Sequence, residues 1–458
     1  MSYVFEGSPS GAAEAVFFSL AAAAIGILAL LVFIFIRRAV RKRYFRRRDQ
    51  RVEHLRACWP MICSGQIPAR DWFASGMDRS IVENILLEEM ERAEGRRLEA
   101  LREFARKSGL MDLRLRQVCR RYGWNRRSAL IALGRMRLPE SVPALWQALQ
   151  NGPVSLVPDA VKALGQAATP EAAEPILRCI SQRPRQCTQP VLLTALTQCY
   201  RSHPQSLLEE TLAADDEARP VLARALAEIA DGRIIGDLMR LVLDPLAEVR
   251  AGAARIMAAV RPPYALNALS RLASDPEWFV RLRAAVAIGE LGEKRGIPLL
   301  IGALCDLNRL VRLRAANALL SFRGEEAGVI QSVIATGDRY ALQPFVSELQ
   351  RCGRLAELVE SLVFEGAAAR SAEFVVLQSL RNGCIHLLVD LLQRHPDRRV
   401  RAQLARIMAL SGEVTLRDHL IQVGMTETDA HRRRLLGWVI SRMAQDLGSR
   451  RTEEAVTA

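Results

Sequence analysis

Aromatic residues are scarce in this 458-residue chain, making up 5% of it. Any core must therefore be built from Leu, Ala, Ile and Val. Metal-ligand pairs are missing as well. The nine cysteines (Cys58, Cys63, Cys119, Cys179, Cys187, Cys199, Cys305, Cys352 and Cys384) are odd in number and contain no Cys-x-x-Cys. Most lie among apolar residues at helix-like spacing and read as small buried hydrophobes in a reducing compartment. Cys384 and His386 form a lone pair with no second pair nearby, which excludes a zinc site of ordinary spacing. The remaining histidines, His54, His203, His395, His419 and His431, are scattered without an H-E-x-x-H pattern. Phosphate-binding glycine loops and a G-x-S-x-G nucleophile elbow are absent too. The acidic groups Asp215-Asp216-Glu217 and Glu325-Glu326 fall where turns are expected and read as solvated. No catalytic residue, cofactor or metal ligand is expected.

What is present is apolar and basic. Half of the residues are hydrophobic and a quarter charged, which excludes wholesale disorder. The length allows two to four compact domains or one elongated array. The net charge of +14 is unevenly placed. Ala15 to Ile36 is a run of 22 residues without a charge, spanning about 33 Å as a helix, enough for a bilayer core of about 30 Å. Behind it come nine basic residues, Arg37, Arg38, Arg41, Lys42, Arg43, Arg46, Arg47, Arg48 and Arg51. A cleaved signal peptide carries its positive charge in front of a shorter apolar run, so this order predicts a retained transmembrane helix. The positive-inside rule then puts residues 1–14 outside and 37–458 in the cytoplasm of an inner membrane. Residues 37–51 would meet anionic lipid, at about 1 kcal/mol per basic residue. Nucleic acid is a poor match for a tethered chain whose remaining excess charge is modest for its size.

A period of 31 residues organises much of the rest. Val249-Arg250, Val280-Arg281 and Val311-Arg312 keep it, with Arg219 one step earlier. Asp244, Asp275 and Asp306 each precede an Arg by six. Ala132-Leu133, Ala163-Leu164, Ala195-Leu196, Ala225-Leu226, Ile256-Met257, Ala287-Ile288 and Ala318-Leu319 extend the register, and Val400-Arg401 restores it downstream. Within a unit, Val280, Leu282, Ala285, Ile288 and Leu291 have helical spacing, Gly292 to Gly296 makes a turn, and Pro298 opens a second helix. One such pair cannot bury its apolar face, and stacking can, which predicts an all-α superhelical solenoid. Each Arg is expected to pair with the Asp six residues before it and brace the turn. Arg283 and Arg314 lack such a partner and are candidates for a binding face.

Asp275 … Phe279-Val280-Arg281-Leu282-Arg283-Ala284-Ala285-Val286-Ala287-Ile288-Gly289, with its counterpart from Asp306 to Leu319, resembles the HEAT-repeat consensus. It is most similar to the short bacterial subtype also found in phycobilin-lyase-like proteins. The resemblance covers roughly 126–424, about ten helix-turn-helix units, and is poor at 185–216 and 338–396. It implies a protein-interaction scaffold in most members and an enzyme in a minority. The alternative it leaves is a lyase-like enzyme acting on a bound chromophore or small ligand; a HEAT-like DNA glycosylase is disfavoured by the dispersed tryptophans.

The expected organisation is a connector and helical cap over 52–125, with Ile81 to Lys107 as one charged amphipathic segment, the repeats over 126–424, a capping helix over 425–447 and a disordered tail over 448–458. The expected function is a membrane-anchored scaffold or adaptor that binds partner proteins at the inner membrane face. Its docking surface is expected over 280–400, combining Arg283 and Arg314 with the apolar residues Phe345, Phe364, Phe374 and Val375 of the irregular region.

Overall fold

A computed structural model describes residues 9–73, 75–120, 123–182, 187–234, 236–338 and 340–457. The side chains of 9–18, 21, 23, 24, 120, 182 and 446–457 fall outside that description. Residues 1–8 of the expected outer N-terminus, and Ala458, lie outside the described residues altogether. Among the described residues the chain is all-helical, without strands. It divides into two units, 1–175 and 176–458.

The first unit contains α1 (Pro9–Ala57), α2 (Trp59–Cys63), α3 (Arg70–Phe73), α4 (Gly76–Arg92), α5 (Gly95–Lys107), α6 (Leu110–Arg120), α7 (Gly123–Arg135), α8 (Val142–Asn151) and α9 (Val157–Ala167), and the division falls within α10 (Ala173–Gln182). Ser75 caps α4 by accepting a hydrogen bond from the Asp78 N–H, which satisfies one donor of the open first turn. Ile81, Val82, Ile85, Leu86 and Met90 bury one face of α4. The single amphipathic segment expected over 81–107 is two helices. Ala93 and Glu94 adopt extended backbone and Gly95 takes φ +55°, a left-handed value that a Cβ would penalise. Between α7 and α9 the approach is very close: a Cβ on Gly134 would lie 2.6 Å from Ala163 Cα.

Among the described residues no helix is long and apolar enough to cross a membrane. The span expected over 15–36 falls in part on side chains outside the description, those of 15–18, 21, 23 and 24. The described remainder is one unbroken piece of α1. Its large apolar side chains from Ile25 to Ile36 are 50–75% exposed and surround the helix on all sides.

The second unit continues with α11 (Gln189–Tyr200), α12 (Pro204–Ala213), α13 (Arg219–Ile229), α14 (Met239–Val242), α15 (Ala247–Val260), α16 (Ala265–Leu272), α17 (Trp278–Leu291), α18 (Ile297–Leu304), α19 (Arg309–Leu319), α20 (Glu326–Ala335), α21 (Leu342–Arg351), α22 (Arg354–Glu360), α23 (Ala367–Arg381), α24 (Ile385–Arg394), α25 (Arg398–Ser411), α26 (Val414–Thr426) and α27 (Ala430–Thr457). Helices α13, α15, α17 and α19 stack side by side, while α16 packs on α15 and α17, and α18 on α17 and α19. The small-residue columns cause this. Ala253, Ala284 and Ala315 are fully buried, and a Cβ on Gly289 would meet Ala318 Cβ at 2.6 Å. The result over α13 to α19 is a solenoid-like stack of helix pairs.

Two expectations change here. The irregular stretch 338–396 is not a set of exposed apolar faces. Phe345 and Val375 are each 1% exposed and belong to the core, Phe374 is half-buried, and Phe364 is exposed. The repeat spacing slips there, so a register-based reading could not place these side chains. At the C-terminus, α27 continues as helix through Thr457, across the segment expected to be a disordered tail.

Candidate interaction surfaces

The column arginines are structural clamps, and their carboxylate partners are not the expected ones. Arg250 does hold its own repeat's Asp244, but through the backbone carbonyl, at 3.0 Å. The carboxylate it grips belongs to the next repeat: Nε and Nη2 donate to Asp275 Oδ2 and Oδ1 at 2.6 and 2.9 Å. Arg281 repeats this with Asp306 at 2.6 and 2.9 Å and with the Asp275 carbonyl at 2.8 Å. Arg219 reaches Asp244 more loosely, at 3.3 Å. Each of these Asp side chains also caps its turn by accepting the N–H two residues on, from Leu246, Glu277 or Asn308. Burial pushes the Asp275 and Asp306 carboxyls up. The arginine hydrogen bonds and charges, with the turn N–H, outweigh it and hold both below the usual carboxylate range.

The clamp ends at Arg312. It keeps the Asp306 carbonyl at 2.7 Å, but its buried Nε has no partner, and the next aspartate, Asp338, lies one residue out of register and accepts from the Tyr340 N–H instead. Farther on, His395 takes the aspartate's place: its Nδ1 accepts the Asp397 N–H, its carbonyl accepts from Arg401, and its Nε2 lies 2.8 Å from Glu360 Oε1.

Arg283 and Arg314 are different from the column. Both are exposed and make no hydrogen bond or ion pair among the described residues. They occupy equivalent positions on α17 and α19. Beside them stand Leu310 and Leu313, 49% and 39% exposed, and the half-buried Phe279 and Leu282. Leu310 and Leu313 alternate in sequence with the buried Val311 and the clamp residue Arg312, so spacing alone does not single them out as surface residues. On the α15 side, Leu193, Arg224, Glu228, Arg255, Phe279 and Arg283 border a shallow hollow of about 350 Å³. Arg255 is tied to Glu228 at 2.9 Å and Arg224 to Gln189 at 2.8 Å. The two arginines and the phenylalanines expected to share one surface therefore do not: Phe345 is core.

In the first unit, Arg37, Arg38, Arg41, Lys42, Arg43, Arg46 and Arg47 are exposed on α1 and make no ion pair among the described residues, and Arg48 is half-buried. Arg51, grouped with them by sequence, has another task. Its Nε and Nη2 donate to Asp78 Oδ1 and Oδ2 at 2.9 and 2.8 Å and join α1 to α4. Arg56 adds a bond to Glu88 at 2.7 Å, and Leu55 is buried beneath.

Four of the nine cysteines are buried, fewer than expected, with Cys119 and Cys352 exposed. Burial pushes the thiols of Cys63, Cys187 and Cys384 up to about 11 and that of Cys199 to about 12, which suits inert side chains rather than nucleophiles. Among the described residues no group of three or more His, Cys, Asp or Glu could hold a metal ion.

Comparison with known proteins agrees with this geometry at the level of the repeat. The HEAT repeats family model matches residues 204–288 and 269–335, and the PBS lyase HEAT-like repeat model matches 126–151. No curated protein matches the chain. Similar solved structures are distant. A mutant of Kap121p is 15% identical with a TM-score of 0.38, over 85% of this chain and 46% of that one. An engineered protein is 18% identical with a TM-score of 0.33, over 79% and 98%. The complex of CpcE and CpcF of phycocyanin lyase from Nostoc sp. PCC7120 is 14% identical with a TM-score of 0.20, over 55% and 94%. The chain is thus similar to HEAT-repeat proteins, over the stretch where the Arg–Asp clamps run.

Proposed function

We propose that this protein is a membrane-anchored scaffold whose HEAT-type repeats hold partner proteins at the cytoplasmic face of an inner membrane, without chemistry of its own. The observation that carries the reading is α1. Its exposed apolar side chains from Ile25 to Ile36 form a surface that water would not tolerate on a lone helix, and it continues without a break into the basic segment and the Arg51–Asp78 junction. From Ile36 to Arg51 the helix rises about 22 Å. In this reading it is a stiff stalk that sets the first unit at a fixed height above the lipid, with Arg37 to Arg47 in the headgroup layer. Anchoring raises the effective concentration of whatever the repeats bind.

The test is membrane fractionation with a topology reporter fused after Ala458. The full chain should sediment with membranes and resist carbonate extraction, and a reporter active only in the cytoplasm should work. A freely soluble chain, or activity only from an external reporter, overturns the reading.

A further inference from the structure

We propose that the exposed face of α17 and α19 is the docking site for an acidic amphipathic helix of a partner protein, laid across the two helices with carboxylates seven residues apart on Arg283 and Arg314. The proposal rests on the scaffold reading and names the class of partner. The close approach of Gly289 to Ala318 puts α17 and α19 at the near end of the usual interaxial range of about 8–10 Å. Arg283 and Arg314 hold the same place one 31-residue repeat apart, so they stand side by side at about that separation. On a partner helix, residues seven apart lie on one face about 10.5 Å from each other, about 2 Å wider than that, a difference the long arginine side chains span. The residues between them would meet Leu282, Leu310 and Leu313, the last two 49% and 39% exposed.

Charge selects the partner's sign. Neither guanidinium is spent on a neighbour, unlike Arg250 and Arg281 in the same layer. Both are already solvent-facing, so pairing them adds specificity and encounter rate more than it costs desolvation. The patch also has edges. On α15 the equivalents of Phe279, Leu282 and Arg283 are Glu248, Ala251 and Gly252, which offer an acid and no apolar side chain larger than a methyl group. On the other side the register breaks after Arg312. A surface two helices wide fits a segment of three to four turns, the helix-in-groove mode of recognition.

The experiment uses the full chain in detergent micelles and a fluorescein-labelled helical peptide carrying two glutamates seven residues apart with leucines between them, read by fluorescence anisotropy. Saturable binding that weakens with added salt is expected for the wild type. Arg283→Glu with Arg314→Glu should weaken it at least ten-fold and should instead bind the matched peptide with lysines in place of the glutamates. Arg283→Gln with Arg314→Gln, harmless at exposed positions, should lose the glutamate peptide without gaining the lysine one. No saturable binding by folded wild type at millimolar peptide, or unchanged affinity in the doubly reversed variant, overturns the proposal. So does displacement of the peptide by phosphatidylserine vesicles, which would give the face to lipid. Membrane fractionation of each variant is read in parallel: it is unaffected if only this placement fails, and it is lost in the wild type itself if the anchored-scaffold reading fails.

Discussion

Arg281 and Asp306 join consecutive repeats by two hydrogen bonds of 2.6 and 2.9 Å, while a third N–H of the same guanidinium keeps the Asp275 carbonyl of its own repeat. One side chain thus sets both the turn it leaves and the repeat it meets. The Asp306 side chain is 8% exposed, so removing the arginine strands a mostly buried carboxylate. Arg281→Ala should cost about 2–4 kcal/mol, measured as a shift in denaturant midpoint. Arg283→Ala, two residues away and unpaired, should stay within about 0.5 kcal/mol. Equal effects would show that the clamp contributes nothing beyond its neighbours.

The same aspartates make the second unit acid-sensitive. Their folded pKa values are lowered, so the stability they contribute is present in full above the ordinary aspartate value of about 4 and is lost as pH falls through the depressed range. The melting temperature of the wild type should therefore fall between pH 5 and pH 3. Asp275→Asn with Asp306→Asn should start lower at pH 5 and lose less over the same interval. Parallel curves would refute this linkage.

Helix spacing in the stack is tuned to single methyl groups. A Cβ on Gly289 would lie 2.6 Å from Ala318 Cβ, whereas one on Gly302, also helical, would meet nothing within 4 Å. Gly289→Ala should destabilise by about 1–3 kcal/mol through overpacking. Gly302→Ala should be neutral or stabilise by up to about 1 kcal/mol, from helix propensity alone. Thermal denaturation of the two single variants decides between packing and propensity.

At the stalk junction, Arg51 and Arg41 should part company although sequence groups them. Asp78 has a side chain 9% exposed and receives both Arg51 bonds. Arg51→Gln should loosen α1 from α4 and raise amide hydrogen exchange over residues 51–57. Arg41→Gln should leave exchange unchanged and weaken only the association with anionic vesicles. Identical exchange in both variants would show that the Arg51–Asp78 pair does not hold α1 to α4.

The repeat itself was legible because its cause is local. Ala285, Ile288 and Leu291 recur at helical spacing, and a buried face on every short helix pair leaves stacking as the one way to cover it. The pairing of the arginines was not legible. Asp275 is six residues from Arg281 and twenty-five from Arg250, and the nearer one looks like the partner until stacking brings the farther carboxylate onto the guanidinium. Phe345 shows the same limit: with the 31-residue register lost, its burial depends on which helices close over it, and that is settled by packing in three dimensions. Neighbours along the chain were enough to show the helical period of the repeats and the charge asymmetry of α1, but not the break at Ala93 to Gly95 that makes two helices of 81–107. Only the tertiary structure decided which arginines are clamps and which, like Arg283 and Arg314, are left free, because a charge is neutralised by whatever stands beside it in space.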